Sequence, residues 1–330
     1  MSRDTTQYGI LVGVDGSAQS DAAVAWAARE ASLHQMPVTL MHGVAPVVVG
    51  WPVGQLYTEM PEWQKDEAQT VIERARRALD ESLGESRLPD VRTEVVYSNI
   101  VPALIDASKD AWMTVVGSQG MGALGRALLG SVSSALLHHA HGPVAVIHSD
   151  DGVAPDTSAP VLVGIDGSPA SEAATALAFD EASRRGVDLV ALHAWSDVGV
   201  FPILGMDWRD RESQGEEVLA ERLAGWQEQY PDVRVQRSLV CDKPAHWLLE
   251  GAQHAQLVVV GSRGRGDFPA CCSVRSALPW PTRRKSRSSS CVPPDRRRRA
   301  PKHTKQRSLV PAGQAVRKTP QQYVFCSLAL

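Results

Sequence analysis

LVGVDGSAQSDAAVAWAAREASLHQMPVTLMH, residues 11–42, returns as LVGIDGSPASEAATALAFDEASRRGVDLVALH, residues 162–193. Aligned without a gap, 15 of the 32 positions are identical, so the chain carries one unit twice. A second echo lies further on: Thr114-Val-Val-Gly-Ser-Gln-Gly120 against Val258-Val-Val-Gly-Ser-Arg-Gly264. We divide the chain into a first domain at 1–150, a Pro/Asp/Ser/Ala linker at 151–160, an incomplete second domain at 161–267 and a tail at 268–330.

Within the first copy, residues 8–14 are apolar and β-branched, as in a strand. Ser17 is placed to cap a helix whose one face carries Ala22, Ala23, Trp26, Ala27 and Ala31. A strand at 38–42, a polar helix at 60–83, a strand at 91–97 and a short helix at 101–111 follow. Residues 113–116 form a continuous apolar run, as expected of a strand buried on both faces. A helix at 131–139 and a strand at 144–147 complete the unit. Strands alternating with helices make parallel crossovers, so the expected fold is α/β: two tandem open parallel sheets, Rossmann-like, the second truncated.

Open α/β sheets bind ligands beyond the carboxyl ends of their strands, where the strand order switches. The first copy has Gly117-Ser118-Gln119-Gly120 there, then Met121-Gly122-Ala123, then Gly130-Ser131-Val132. Glycines let backbone N–H groups wrap an anion, and the helix that opens at Ser131 adds its unpaired N–H groups and dipole. The segment is no Walker A loop, since it has no lysine. A tight turn whose glycines serve only backbone geometry is the competing reading. Asp15, followed by Gly16-Ser17, ends the first strand, and Asp166-Gly167-Ser168 repeats it. An acid there can accept from a ribose or base or hold a metal beside phosphates; equally, it can form the turn into the helix.

These features resemble the universal stress protein family in its tandem form. The carrying residues are Val12-Gly-Val-Asp-Gly-Ser17 with its copy, and the glycine pattern from Gly117 to Ser131. The resemblance spans residues 8–267 and implies a five-stranded parallel sheet that binds ATP, alone or with Mg2+. It assigns Gly13 and Asp15 to the base and ribose, and Gly117, Gly120, Gly130, Ser131 and Val132 to the phosphates. Carried to the second copy, it assigns Gly164, Asp166, Gly261, Ser262, Arg263, Gly264, Arg265, Gly266 and Asp267. There the pattern breaks: Val274 and Arg275 stand where the third glycine and its serine are due. The resemblance also implies pairing through the last strand, between two chains or between the two domains.

Other features are read as structural. His42 and His193 recur at one strand end, and His138, His139 and His141 crowd the end of a helix, where the dipole favours them. No metal ligands and no catalytic group are assigned. No apolar run approaches the length of a membrane span, and no basic-then-apolar leader precedes the first strand, so a cytoplasmic protein is expected. Five cysteines without a leader argue against a disulfide scaffold.

The net charge of −3 hides a division. Residues 1–267 carry 20 basic and 36 acidic side chains; residues 268–330 carry 14 basic and one acidic, Asp295. Arg283, Arg284 and Lys285 and the four arginines at 296–299 could form a nucleic-acid arm. Reading the codons one frame over gives a different account. Cys271-Cys272-Ser273 then forces Leu and permits Leu or Phe after it, Trp280-Pro281 forces Ala, and Lys285-Ser286 permits Val or Ile. The shifted frame can read LLLGSVSSAVAHAAKVPVIVVR, against ALLGSVSSALLHHAHGPVAVIH at residues 127–148. A one-base deletion near Phe268-Pro269 explains why the second copy stops mid-motif, and the tail is then an out-of-frame product expected to be disordered. The functional expectation is an ATP-binding regulator of a stress or dormancy response that is not an enzyme. The alternatives are a slow ATPase or nucleotidyl transferase on the same scaffold, and nucleic-acid binding through the tail.

Overall fold

The computed structural model describes residues 7–45, 62–84, 90–120, 129–148, 156–195, 208–262 and 323–328. In the first copy, strands β1 (Gly9–Gly13), β2 (Val38–Gly43), β3 (Val91–Val96), β4 (Ala111–Gly117) and β5 (Pro143–His148) alternate with helices. Those helices are α1 (Ala18–His34), α2 (Glu62–Leu83), α3 (Ile100–Ala107) and α4 (Ser131–His139). The second copy repeats the order with β6 (Val161–Ile165), α5 (Pro169–Arg185), β7 (Leu189–Trp195) and α6 (Trp208–Gln229). It continues with β8 (Val235–Cys241), α7 (Pro244–Ala252) and β9 (Leu257–Gly261).

The sheet runs β3-β2-β1-β4-β5 in the first copy, all parallel, and the order reverses between β1 and β4. β9-β6-β7-β8 is the same array with its fifth strand missing. That position is filled by β10 (Tyr323–Leu328), the last described segment of the tail. β10 pairs parallel with β9, Phe325 opposite Val258, and antiparallel with β5, Tyr323 opposite His148. The two parallel arrays thus join into one ten-stranded sheet whose order is symmetric about its centre. The tail was expected to supply no strand, and residues 323–328 correct that; its other residues lie outside those described. β9 is covered. All five of its residues are buried, with α5 and α7 packed on it and β10 along its edge.

Local sequence explains the helices. Ser17 caps α1 by accepting from Ser20 N at 3.1 Å, and Ser168 caps α5 from Ser171 N at 3.2 Å. Both end in the left-handed region, at Gly186 in the second copy and at Gln35 (φ 53°) in the first. Alanines on one face of α1 (Ala23, Ala27, Ala31) and of α5 (Ala174, Ala178, Ala182) are fully buried and let the helices lie close on the strands. These two faces share one apolar core that runs from Ile10 and Val12 to Val163 and Val259. On the opposite face, α3 and α4 cover the first copy with Leu104, Leu136 and Leu137. Among the described residues no helix is long and apolar enough to cross a membrane.

Candidate functional site

A cavity of about 300 Å³ opens between the carboxyl ends of β1 and β4, where the strand order reverses. It is lined by Gly13, Asp15, Gly117, Gln119, Gly120, Gly130, Ser131 and Val132, so the structure brings these expected site residues of the first copy into one place. Across the nine residues between Gly120 and Gly130, Gly130 N donates to Ser118 O at 2.8 Å. Ser133 Oγ donates to the same carbonyl at 3.2 Å. The glycine turn and the start of α4 therefore meet, although the sequence separates them.

Each residue has a local reason for its position. Asp15 leaves the end of β1 and accepts from Ser17 N on Oδ1 at 3.0 Å, forming the turn into α1. Its Oδ2 lies against the Gly120 backbone: a Cβ added at Gly120 would stand 2.5 Å from that oxygen. The two sequence motifs thus touch through the carboxylate. Gly130 is the N-cap of α4 and makes no side-chain cap bond, so the first turn of α4 opens its N–H groups and positive dipole end to the cavity.

Two of the expected site residues also have packing or bonding roles. Ser118 is buried, with Oγ 3.1 Å from His148 Nδ1 and its N–H donated to Ile147 O at 2.8 Å; it ties the loop to β5. Gly117 has little room because α1 is close. An added Cβ would lie 2.9 Å from the Gln19 carbonyl carbon and oxygen. Neither Gly117 nor Gly130 has positive φ, so left-handed backbone is not why glycine stands there.

Sequence reasoning missed half of the wall. Ile100 and Leu104 of α3 and Val116 of β4 give an apolar side, with Ser20, His42 and Gly43 on the β1–β2 side. His42 was read as structural, and its Nδ1 does donate to Val14 O at 2.8 Å, yet the ring also lines the cavity. Its recurrence at His193, bonded to Ile165 O at 2.7 Å, was the available signal. Among the described lining residues there is no lysine or arginine, so an anion here would meet backbone N–H groups and hydroxyls.

The second copy rebuilds the same floor. Asp166 accepts from Ser168 N at 2.9 Å, and a Cβ on Gly261 would lie 2.8 Å from the Ala170 carbonyl carbon, as at Gly117. Gly164 faces Leu248 and Val260 as Gly13 faces Leu104 and Val116. Ser262 is buried. The expected site residues Met121, Gly122 and Ala123 of the first copy, and Arg263, Gly264, Arg265, Gly266 and Asp267 of the second, lie outside the described residues, as do the basic runs of the tail.

Comparison with known proteins agrees with this architecture. A universal stress protein of Mycolicibacterium smegmatis is 60% identical over 268 residues, covering 81% of this chain and 91% of that protein. Universal stress protein Rv2623 of Mycobacterium tuberculosis is 52% identical over 269 residues, with the same coverage of each. A crystal structure of a universal stress protein from Archaeoglobus fulgidus superposes with a TM-score of 0.56 at 18% identity, over 82% of this chain and 90% of that one, a likeness of fold. Residues 9–148 and 158–270 each match the model of the Universal stress protein family, the second match ending beside the inferred change of frame. The chain therefore belongs to the Universal stress protein family, with its domain present in tandem.

Proposed function

We propose that the first copy binds ATP and that the chain acts as a nucleotide-dependent regulator of a stress or dormancy response rather than as an enzyme. The observation that carries this is the cavity itself, which joins Asp15, the Gly117–Gly120 turn and the side-chain-free cap of α4 at the switch point of the sheet. Phosphates suit the α4 end, where N–H groups and the helix dipole favour negative charge. The base suits the apolar side made by Ile100, Leu104 and Val116, and Asp15 is positioned to accept from ribose hydroxyls. When bound, ATP would bring negative charge for the backbone N–H groups of the Gly117–Gly120 turn and the first turn of α4 to hold. The titratable groups among the described lining residues are Asp15 and His42, and each already serves a backbone group, which supports reading the nucleotide as a ligand. The second copy lacks the third glycine and should contribute little, giving about one nucleotide per chain.

The test is mass spectrometry of small molecules released from denatured protein, followed by calorimetric titration with ATP, GTP and ADP and a turnover assay. ATP bound near one equivalent without product formation is expected. Absence of nucleotide binding, or rapid turnover, would overturn the reading.

A further inference from the structure

Away from the cavity, where α1 and α5 pack across the two copies, four ionisable side chains form a buried cluster. Glu30 and His34 come from α1, Glu181 and Arg185 from α5. The repeat alignment sets Glu30 on Glu181 and His34 on Arg185, so one helix face meets its own copy. His34 Nε2 stands 3.1 Å from Glu30 Oε1 and 3.0 Å from Glu181 Oε1. Arg185 Nη2 reaches Glu30 Oε2 at 2.5 Å and Glu181 Oε2 at 3.0 Å. Each carboxylate is thus held by one cation from its own helix and one from the other copy. The side chains of Glu30, His34 and Glu181 are 1–3% exposed and that of Arg185 is 16% exposed.

The surrounding elements complete the charge balance. Asp180 Oδ2 lies 3.9 Å from His34 Nδ1 but receives Arg184 at 2.8 Å. Arg29 is near enough to Arg185 to feel its charge. From β4 the Trp112 ring packs 4.3 Å from the imidazole, and Gln256 Oε1 accepts from Arg185 Nη1 at 3.1 Å. Two carboxylates and one guanidinium leave a buried net charge of −1, and only a proton on His34 or a carboxyl group removes it. Had the repeat kept arginine at position 34, that charge would be fixed.

We infer that the α1–α5 contact between the two copies is held by a dissociable proton on His34, so that this contact loosens as the surroundings become alkaline. Burial opposes the imidazolium, but the bonds and charges of Glu181 and Glu30 outweigh it and raise the His34 pKa to about 9. Burial, and then the charge of Glu30, pushes Glu181 up to about 7. Glu30 stays low, because the charge of Arg185 and the bond from His34 overcome its burial. The sign follows. A raised folded pKa means that the packed state holds the proton more tightly, so the His34 contribution is complete below its ordinary value of about 6.5 and is lost as pH rises through about 9. Across that window each pH unit should favour separation by up to roughly tenfold.

Hydrogen exchange by mass spectrometry of the full chain tests this, with rates corrected for the intrinsic pH dependence and α3 as internal control. Between about pH 8 and 9, above the value at which Glu181 gives up its proton, the protection of peptides spanning α1 and α5 should fall by up to roughly tenfold per unit in the wild type. In His34→Arg it should stay flat, because a guanidinium does not titrate there. Flat protection in the wild type, or an equal slope in His34→Arg, overturns the inference. Should His34→Arg fail to fold, NMR titration of His34 in the wild type decides: an apparent pKa above 8 supports the clasp and one at or below 6.5 refutes it. The three ligand-type atoms of Glu30, His34 and Glu181 also lie within 4.8 Å of one another. Protection restored at high pH by micromolar zinc, and lost in His34→Gln, would make the cluster a metal site and overturn the proton account.

Discussion

Gly117→Ala separates two reasons for a glycine that the sequence alone confounds. If the residue is needed for phosphate approach, the methyl group should weaken nucleotide binding and spare the fold. The geometry predicts the reverse order of effects. The new Cβ would lie 2.9 Å from the carbonyl carbon and oxygen of Gln19 and 3.0 Å from its Cβ, against the ~3.5–4.0 Å of a relaxed contact. Gln19 sits in the first turn of α1, which carries Ala23, Trp26 and Ala27 into the core, so the helix must shift by several tenths of an ångström. Overpacking of this kind costs about 1–3 kcal/mol, and at roughly 2–4 °C per kcal/mol the melting temperature should fall by about 2–12 °C. Gly261→Ala should behave alike, since its Cβ would meet Ala170 at 2.8 Å. Gly130→Ala is the control: φ is −63° and nothing lies nearer than 3.5 Å, so it should lose under about 1 kcal/mol of stability, from a poorer N-cap. Thermal unfolding followed by circular dichroism, with ATP calorimetry on each variant, reads both effects. A Gly117→Ala chain that melts with the wild type and has lost only nucleotide would refute the packing argument.

Asp15→Ala should weaken ATP binding at least severalfold, and loss of the Ser17 turn bond should cost roughly 1 kcal/mol, measurable by urea unfolding. A variant that unfolds outright would show that the turn is the residue's main role. Gln35→Gly should stabilise the chain by about 0.5–1 kcal/mol, because φ of 53° suits glycine; an unchanged urea midpoint would contradict it. Removing residues 323–330 should lower the melting temperature and open the edges of β5 and β9, with concentration-dependent association seen by light scattering. A truncated chain as stable and monodisperse as the intact one would mean that β10 contributes nothing.

The repeat made the fold legible. Once Leu11 to His42 is matched to its copy, alternating strands and helices follow from residue pattern, and the capping serines mark the same corner twice. The first-copy site was legible for a related reason: glycines at the end of a buried strand and again after nine intervening residues point to one turn that must close. The apolar wall was not legible, because Ile100 and Leu104 read as ordinary core positions of a short helix. Glu30 and Glu181 were hidden for a physical reason. On an isolated helix a glutamate and a basic residue four places on suggest a solvated pair, and only packing against the second copy removes their water. β10 has no counterpart in the repeat to announce it, since residues 323–328 do not resemble residues 143–148.

β10 also sets a schedule. Its partners β5 and β9 end at His148 and Gly261, and its own residues come after both in the chain. Throughout synthesis of the second copy the first must therefore stand with the β5 edge unpaired, and the strand that joins the two arrays can be seated only after Tyr323–Leu328 have been made. Such a sequence-distant pairing slows the closing of the sheet, since the ends of a long intervening segment must find each other before any contact rewards them. During that interval β5 of one nascent chain can meet β5 of another, so the yield of native protein should depend on how crowded its own translation is.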